Sequence, residues 1–455
     1  MIDEKFYDRM QKLLGEDFDA FKASLDDEPV RAVRVNSTKI SVDNFLSFFN
    51  GELTPLSYAP DGFILEKDEK IGLTPEHHSG MIYVQDPGAM ATVNAIDIPE
   101  GAWVLDSCSA PGGKTSQLAS RIGDTGFILA NEYVPKRAKI IVSNLERLGV
   151  KNAMVTSLDT AKIREMFDSV FDIVLCDAPC SGEGMLRKYD EASTEWSEEN
   201  VKACAERQNE ILENVIPTLK SGGYLIYSTC TYSLEENELT VLAVLDKHPE
   251  LELVPVKREV ADVTSDGIAV DGREELRLTR RFYPHVSRGE GQYVAVFKKR
   301  DNLTDMSTIL YKDASISASK EEIRVTEQFV KTHFPTVNFG KIIKHGDYVV
   351  SVAHGCPVPP YSVFMPGVTL GEVKKGIFFP HQQLISAYGD EMTNKENLRH
   401  GDERIQKYLR GEEIEAKEAR DGWCAVCYEG VALGGGKVSG GKIKNHYPKG
   451  LRNKN

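Results

Sequence analysis

The spacing of apolar residues changes along this chain, and the change divides it into segments. Between Gly101 and about Arg300, short apolar runs alternate with stretches in which apolar residues recur at helical spacing. This alternation is typical of a parallel sheet that helices cover on both faces. The predicted strands are Trp103 to Leu105, Phe127 to Ala130, Ala153 to Thr156, Ile173 to Cys176 and Tyr224 to Tyr227.

The later part of this segment has two further features. Apolar positions between Val201 and Leu219 fall on one side of a long predicted helix, and the pair Gly222-Gly223 is expected to end it. Leu276 to Tyr283 and Gln292 to Lys298 predict a hairpin instead of another strand and helix. We therefore expect a central α/β domain with an antiparallel pair at one edge of its sheet.

The flanking segments have other patterns. An amphipathic start and the alternating stretch Val30 to Val35 predict an N-terminal α+β domain. A polar stretch after Arg300 predicts a linker, and short apolar strands follow it. Short strands with abundant glycine predict a small β-rich module at the end of the chain. The resulting divisions are residues 1–95, 96–300, 301–320, 321–390 and 391–455.

Length and composition limit the class of protein. With 455 residues, 41% of them hydrophobic and 27% charged, the chain is long enough for several domains with sizeable cores. Its first residues lack a signal-peptide core, and no apolar run approaches the roughly 18 residues of a membrane span. Eight cysteines without the spacing of a disulfide framework indicate reduced thiols. We expect a cytoplasmic monomer that does not contact a membrane.

The charge is unevenly distributed. A net charge of −14 argues against a protein that coats nucleic acid through bulk attraction to phosphate. From Gly430 onward, however, the chain has basic residues and no acidic one, as in a solvated chain end or a nucleic-acid contact. Arg31 and Arg34 could also hold phosphates, although exposed strand arginines usually only solvate a sheet. The basic candidates in the tail are Lys442, Lys444, Lys449 and Arg452.

A glycine-rich turn follows the first predicted strand of the central domain. It lacks the glycine that a phosphate-binding loop needs five residues before Gly113, where Cys108 stands. It also lacks the Gly-x-Gly-x-x-Gly pattern of a dinucleotide site. Two adjacent glycines still allow the backbone to approach a ligand closely, which suits a bulky nucleoside without phosphates, such as S-adenosylmethionine. This donor loop consists of Cys108, Ser109, Ala110, Pro111, Gly112, Gly113 and Lys114.

Four carboxylates stand at or just after predicted strand ends, where an open parallel sheet presents its ligand site. Glu132 is expected to accept hydrogen bonds from ribose hydroxyls, and Asp159 to meet the adenine amine or a nearby group. A single acid at such a position is often only a helix cap, but four in register favour a ligand site. The four are Asp106, Glu132, Asp159 and Asp177.

Two cysteines, Cys180 and Cys230, follow successive strands of the predicted sheet and should project into one crevice. They stand beyond the strands among polar and turn residues, where packing is a weak explanation for a thiol. Cys424 and Cys427 have metal-ligand spacing, but no second pair follows, so no metal site is predicted. The cysteines interpreted as small buried apolar residues are Cys176, Cys204 and Cys356.

A thiol pair beside a sulfonium donor suits one particular reaction. Carbon 6 of cytosine is electron-poor, and a thiolate that adds there makes carbon 5 nucleophilic enough to accept a methyl group. A thiol with a pKa of about 8.5 is little ionised at neutral pH but is strongly nucleophilic, so modest activation suffices. Asp177 could hydrogen-bond the exocyclic amine or a protonated ring nitrogen of the base.

Three motifs carry a resemblance to a known family. The stretches Asp106 to Thr115, Asp177 to Gly184 and Ser228 to Tyr232 closely resemble the main motifs of the Nol/Nop/Sun family of RNA cytosine-5 methyltransferases. Val33 to Asn36 and Lys444 to Arg452 extend the resemblance over nearly the whole chain, towards the bacterial members that act on ribosomal RNA. It implies a Rossmann-like methyltransferase core, an N-terminal RNA-contacting domain and a C-terminal PUA-like RNA-binding module.

The same resemblance implies roles for individual residues. Cys230 is implied as the nucleophile and Cys180 as the residue that aids product release, while Asp177 serves the donor, the base or both. The donor loop, Glu132 and Asp159 are implied to bind S-adenosylmethionine. The implied substrate is 16S ribosomal RNA or the small ribosomal subunit. Two alternatives stay open: the same reaction on transfer RNA, and an RNA-binding assembly factor that does not catalyse it.

Overall fold

Helices and an antiparallel sheet form the start of the chain in this computed structural model, which describes residues 2–66, 70–188, 196–301, 306–353 and 355–453. These elements are α1 (Glu4–Leu14), α2 (Phe18–Ser24), β1 (Ala32–Val35), α3 (Val42–Leu46), β2 (Leu53–Leu56), β3 (Ala59–Leu65), α4 (Pro75–His78), β4 (Ile82–Val84) and α5 (Pro87–Val93). The strand order is β2-β3-β1-β4. Every residue of β1 is buried, so this strand lies in the interior of the molecule.

Alternating strands and helices follow, as the sequence predicts. They are β5 (Trp103–Asp106), α6 (Gly113–Ile122), β6 (Phe127–Asn131), α7 (Pro135–Leu148), β7 (Ala153–Thr156), α8 (Thr160–Met166), β8 (Phe167–Asp168), β9 (Phe171–Asp177), α9 (Glu198–Val215), β10 (Leu219–Thr229), α10 (Glu238–Lys247), β11 (Leu251–Leu253), α11 (Arg258–Ala261), β12 (Ser265–Asp266), β13 (Arg280–Phe282) and β14 (Gln292–Lys299). Strands β10, β9, β5, β6 and β7 are adjacent and parallel in that order. Their carboxyl ends therefore meet at one edge of the sheet.

The five predicted strands of this domain are confirmed, as is the antiparallel pair of β13 and β14. The predicted end of the long helix is wrong. Helix α9 ends at Val215, just before Pro217, which lacks the N–H that a continuing helix would need. Gly222 and Gly223 instead lie inside β10, where the pairing with β9 shifts register.

The segment after Arg300 joins the central domain at two places. Its elements are β15 (Thr308–Ile309), β16 (Ile316–Ser317), α12 (Lys320–His333), β17 (Ile342–His345), β18 (Tyr348–Val352), β19 (Val363–Met365), β20 (Gly367–Lys374), β21 (Ile377–Pro380) and α13 (Gln382–Tyr388). Strand β15 pairs with β8, and β19 adds an antiparallel edge to β7. The others form a sheet of order β16-β17-β18-β20-β21. Residues 302–305 of the predicted linker lie outside the described residues.

The last segment is a small β-rich unit, as predicted. Its elements are β22 (Lys395–Leu398), α14 (Arg404–Leu409), β23 (Ile414–Glu415), β24 (Gly422–Tyr428), β25 (Val431–Ser439) and β26 (Lys442–Asn445). The strand order is β22-β24-β25-β26-β23. Its apolar residues share one core cluster with Val33 and Phe45 of the N-terminal domain, so the two ends of the chain pack together.

In the described part of the chain, no helix is both long and apolar enough to cross a membrane.

Candidate active site

The donor loop connects β5 to α6 at the carboxyl edge of the sheet. Ser109 is fixed to the neighbouring strand end, because its N–H and its hydroxyl donate to the carbonyl oxygen of Asn131 at 2.9 and 2.8 Å. Gly112 has a φ of 104°, a conformation that favours glycine. A Cβ atom on Gly113 would lie 2.8 Å from a ring carbon of Tyr83. Both glycines are therefore required for the path of the loop.

Arg34 holds the start of α6 from the N-terminal domain. Its Nε donates to Gln85 at 3.0 Å, and one Nη donates to the hydroxyl of Ser116 at 2.7 Å and to the carbonyl oxygen of Gly113 at 3.4 Å. Its side chain is fully buried, and burial lowers the pKa of the guanidinium to about 10. The predicted RNA contact at Arg34 therefore needs correction: an interior strand carries this side chain away from any phosphate and to the donor loop.

The four predicted carboxylates occupy different environments. Asp106 is fully buried and accepts a hydrogen bond from Thr115 at 2.7 Å. Burial raises its pKa to about 7. Glu132 is nearly buried, accepts from the N–H of Val134 at 2.9 Å and lines a cavity. Asp159 is exposed at the start of α8, where it accepts from the N–H of Ala161 at 2.9 Å, and it lines the same cavity.

The fourth carboxylate, Asp177, forms an ion pair with the last residue of the donor loop. The ammonium group of Lys114 donates to one carboxylate oxygen at 2.7 Å, and the hydroxyl of Ser228 donates to the other at 2.6 Å. Burial opposes the charge on Lys114, but Asp177 outweighs it and raises the pKa of the ammonium group. Lys114 is thereby held charged beside the strand end that precedes Cys230.

Cys180 and Cys230 lie next to each other, as the sequence predicts. Their sulfur atoms are 3.3 Å apart, and the N–H of Cys230 donates to the sulfur of Cys180 at 3.4 Å. Both side chains are partly exposed and line the cavity. The hydrogen bond with Cys230, together with burial, raises the pKa of Cys180 well above its ordinary value. The thiol of Cys180 therefore holds its proton more tightly than an ordinary cysteine does.

One cavity of about 1730 Å³ contains the donor loop and both cysteines. A single small ligand usually occupies roughly 300–1,000 Å³, so this volume accommodates a donor and a base together. Cys108 is partly exposed on the wall of the cavity, and its hydrogen bond with Cys176 together with burial raises the pKa of its thiol. The prediction of buried thiols is confirmed for Cys176, Cys204 and Cys356.

The remaining predicted RNA contacts lie in two places. Arg31 is exposed on the wall of the cavity. Lys442, Lys444 and Lys449 are exposed at the end of the chain, and the first two share one face of β26. Arg452 has a structural partner, since its guanidinium donates to the carbonyl oxygen of Tyr447 at 2.9 and 3.1 Å.

Sequence reasoning missed the side chains that support the loop after Cys230. Arg281 is fully buried, pairs with the carboxylate of Glu238 and donates to the carbonyl oxygen of Tyr232 at 2.8 Å. Glu183 and Glu236 are also buried. Glu183 accepts from the N–H of Tyr232 in the loop after Cys230, and Glu236 accepts from the N–H of Ser181 in the loop after Cys180. The sequence carries one sign of this support, the acidic residues Glu235, Glu236 and Glu238 shortly after Cys230. Acidic residues are seldom buried without a specific partner, so a buried one indicates a built hydrogen-bond network.

Three family models match successive parts of the chain. The N-terminal domain of 16S rRNA methyltransferase RsmF matches residues 2–87, 16S rRNA methyltransferase RsmB/F matches residues 93–298, and the methyltransferase RsmF PUA domain matches residues 395–453.

Named relatives match over most of their length. Ribosomal RNA small subunit methyltransferase F of Klebsiella pneumoniae (strain 342) is 31% identical over 95% of this chain and 92% of the relative. The protein of the same name from Vibrio vulnificus (strain YJ016) is 31% identical over 100% of this chain and 98% of the relative.

Solved structures resemble about two thirds of the molecule. A methyltransferase homologue from Pyrococcus horikoshii is 32% identical with a TM-score of 0.57, covering 65% of this chain and 95% of that protein. NSun6 from Pyrococcus horikoshii is 20% identical with a TM-score of 0.56, covering 65% and 98%, and supports the fold alone. The expected Rossmann-like S-adenosylmethionine-dependent methyltransferase core and C-terminal PUA-like module are confirmed.

Proposed function

The chain belongs to the RsmF family of 16S ribosomal RNA methyltransferases, and from this premise we propose that it methylates carbon 5 of cytosine in 16S ribosomal RNA through a covalent bond to Cys230. The observation that carries the proposal is the pair of sulfur atoms, 3.3 Å apart, on the wall of the cavity that the donor loop also lines. A methyltransferase that acts on a ribose hydroxyl or an exocyclic amine has no need of a nucleophilic thiol.

The residues around the donor loop fit S-adenosylmethionine. Most of the loop faces the space that a nucleoside would occupy, since Cys108 to Pro111, Gly113 and Lys114 line the cavity. Glu132 presents its carboxylate at the end of β6, where ribose hydroxyls would donate to it, and Asp159 lines the next part of the wall. When bound, this donor supplies an electrophilic methyl group on a sulfonium.

Different side chains of the cavity act in successive steps of the proposed reaction. The Cys230 thiolate forms a bond to carbon 6 of cytosine, which makes carbon 5 the nucleophile. Asp177 and the charged Lys114 lie together at the carboxyl end of the sheet, where they hydrogen-bond the polar edge of the base and stabilise the adduct. Carbon 5 then takes the methyl group from the donor. Water in the cavity accepts the proton of carbon 5, the electron pair of that C–H bond restores the double bond between carbons 5 and 6, and the carbon–sulfur bond breaks so that Cys230 departs as a thiolate. Cys180 keeps its proton beside that sulfur and aids the departure.

Replacement of each cysteine tests the proposal. We expect Cys230→Ala to lower methylation by about a thousandfold or more, because the neighbouring thiol of Cys180 holds its proton more tightly than an ordinary cysteine and is the poorer nucleophile. We expect Cys180→Ala to accumulate a covalent complex with RNA, visible on a denaturing gel. Cys204→Ala is the matched control, since this buried thiol lies outside the cavity. A Cys180→Ala protein that methylates and releases RNA like the control would contradict the role in release.

The substrate is tested separately. Bisulfite mapping of ribosomal and transfer RNA from a strain that lacks the gene should show a lost mark in 16S ribosomal RNA. Loss of a transfer-RNA mark alone would refute the proposed substrate. Calorimetry with S-adenosylmethionine tests the enzyme itself, because an assembly factor without catalytic activity would not bind the donor.

A further inference from the structure

A buried carboxylate, Glu236, connects the two loops that carry the cysteines. One of its oxygens accepts hydrogen bonds from the hydroxyls of Ser181 and Ser233 at 2.5 and 3.1 Å. The other accepts from the N–H of Ser181 and from Gln208 at 2.9 and 2.8 Å. Ser181 directly follows Cys180, whereas Ser233 belongs to the loop after Cys230. Glu236 itself belongs to the loop after Cys230, so its two hydrogen bonds with Ser181 tie one cysteine loop to the other, while Ser233 and Gln208 of α9 hold the carboxylate in place.

A second buried carboxylate, Glu183, makes the reverse connection. It belongs to the loop after Cys180, and one of its oxygens accepts from the hydroxyl of Thr231 and the N–H of Tyr232 at 2.9 and 3.0 Å. Its other oxygen accepts from the indole N–H of Trp196 at 2.8 Å. Both carboxylates are almost completely buried, Glu183 at 2% and Glu236 at 0% exposed.

Burial of two carboxylates is costly, and their hydrogen bonds offset that cost only while both loops keep this geometry. Displacement of either loop would leave a buried charge without its donors. The two loops are therefore held in one relative position although they follow different strands. The sulfur atoms at the tips of these loops are 3.3 Å apart as a result.

We infer that Glu236 and Glu183 are positioning residues, which touch neither donor nor base but hold the sulfur atoms of Cys180 and Cys230 at the distance that the release of the product requires. The catalytic meaning of this inference rests on the proposed function. The geometry itself does not, because the distance between two thiols is measurable without RNA or methyl donor.

The hydrogen-bond donors around the two carboxylates differ, so a Glu→Gln substitution should keep the contacts of Glu236 but lose contacts of Glu183. In Glu236→Gln, the amide oxygen can take the two N–H donors while the amide nitrogen donates to the two hydroxyls, so all four contacts survive. In Glu183→Gln, each carboxylate oxygen faces an N–H group, so the amide nitrogen must meet a donor. Glu236→Gln should preserve the sulfur distance, whereas Glu236→Ala and Glu183→Gln should not.

Disulfide formation under diamide measures that distance. Two S–H bonds break, one S–S bond forms between Cys180 and Cys230, and the N=N bond of diamide is reduced to the hydrazine. The rate for this pair is followed by mass spectrometry of unreduced peptides. We expect Glu236→Ala and Glu183→Gln to slow it about tenfold or more, since each loses hydrogen bonds that fix the loops. Glu236→Gln should match the control Glu235→Gln, whose carboxylate pairs with Arg9 outside both loops.

Two results would overturn the inference: a folded Glu236→Ala protein that forms the disulfide at the wild-type rate, or a Glu236→Gln protein as slow as Glu236→Ala. If Glu236→Ala does not fold, Ser181→Ala removes one of the two hydrogen bonds between Glu236 and the loop of Cys180, and an unchanged rate there overturns the inference too. The same variants are then mixed with 16S ribosomal RNA and the donor. Absence of adduct and methylation in the wild type would refute the proposed function but leave the thiol result standing.

Discussion

At the scale of single residues, burial decides the protonation of groups in the site. Asp106 at the end of β5 is fully buried, and of its two oxygens only one has a hydrogen-bond donor in the described structure. Its pKa of about 7 means that it binds a proton more tightly in the folded than in the unfolded chain. Its contribution to folding is therefore fully present below about pH 4 and is lost as the pH rises through about 7.

Asp106→Asn tests this protonation. Asparagine can still accept from Thr115 but does not titrate, so the free energy of unfolding should fall less steeply between about pH 4 and 7 in the variant. We expect the two slopes to differ by up to about 1.4 kcal/mol per pH unit. Urea unfolding at several pH values measures both proteins. Equal slopes would show that Asp106 is ionised in the folded protein across this range.

At the scale of elements, β1 supports the donor loop from outside the central sheet. Its Arg34 reaches Gly113 and Ser116 at the start of α6, while Arg31, just before the strand, is exposed on the cavity wall. The sequence presents both arginines alike as candidate phosphate contacts, but the structure places them in different environments. We propose that Arg34 positions the donor loop and that Arg31 contacts RNA.

Substitution of the two arginines should separate these functions. Arg34→Lys cannot reproduce the forked hydrogen bonds of a guanidinium, so we expect the affinity for S-adenosylmethionine to fall about tenfold and the stability by about 1–3 kcal/mol. Arg31→Gln should leave donor affinity unchanged and lower the salt slope of RNA binding by about 1. Calorimetry and salt titration measure these effects. Unchanged donor affinity in Arg34→Lys would contradict the role of β1.

At the scale of the whole molecule, the PUA-like module is packed against the N-terminal domain. The hydroxyl of Tyr428 donates to the buried carboxylate of Glu76 at 2.8 Å, and both ring nitrogens of His78 lie 2.8 Å from partners on the module, Tyr447 and Asn453. Burial lowers the pKa of His78. The exposed lysines of β26 thus have a definite position relative to the N-terminal domain.

Tyr428→Phe tests this packing. The substitution leaves Glu76 buried without one of its donors, so we expect a loss of about 1–3 kcal/mol of stability, measured by urea unfolding. Lys444→Gln is the control on the exposed face of the same module: it should keep the stability and weaken binding to 16S ribosomal RNA. If Tyr428→Phe is as stable as the wild type, the contact between the two ends of the chain does not contribute to folding.

The sequence by itself determined the strands of the central sheet, the donor loop after β5 and the adjacency of Cys180 and Cys230. Apolar periodicity and turn residues are local properties, and parallel strands bring their ends to one edge whatever surrounds them. Only the tertiary structure decided the inward position of Arg34, the addition of β19 to the sheet, and the hydrogen bonds of Glu183 and Glu236. These depend on partners far apart in the chain, and no local pattern records which donor a buried charge will meet.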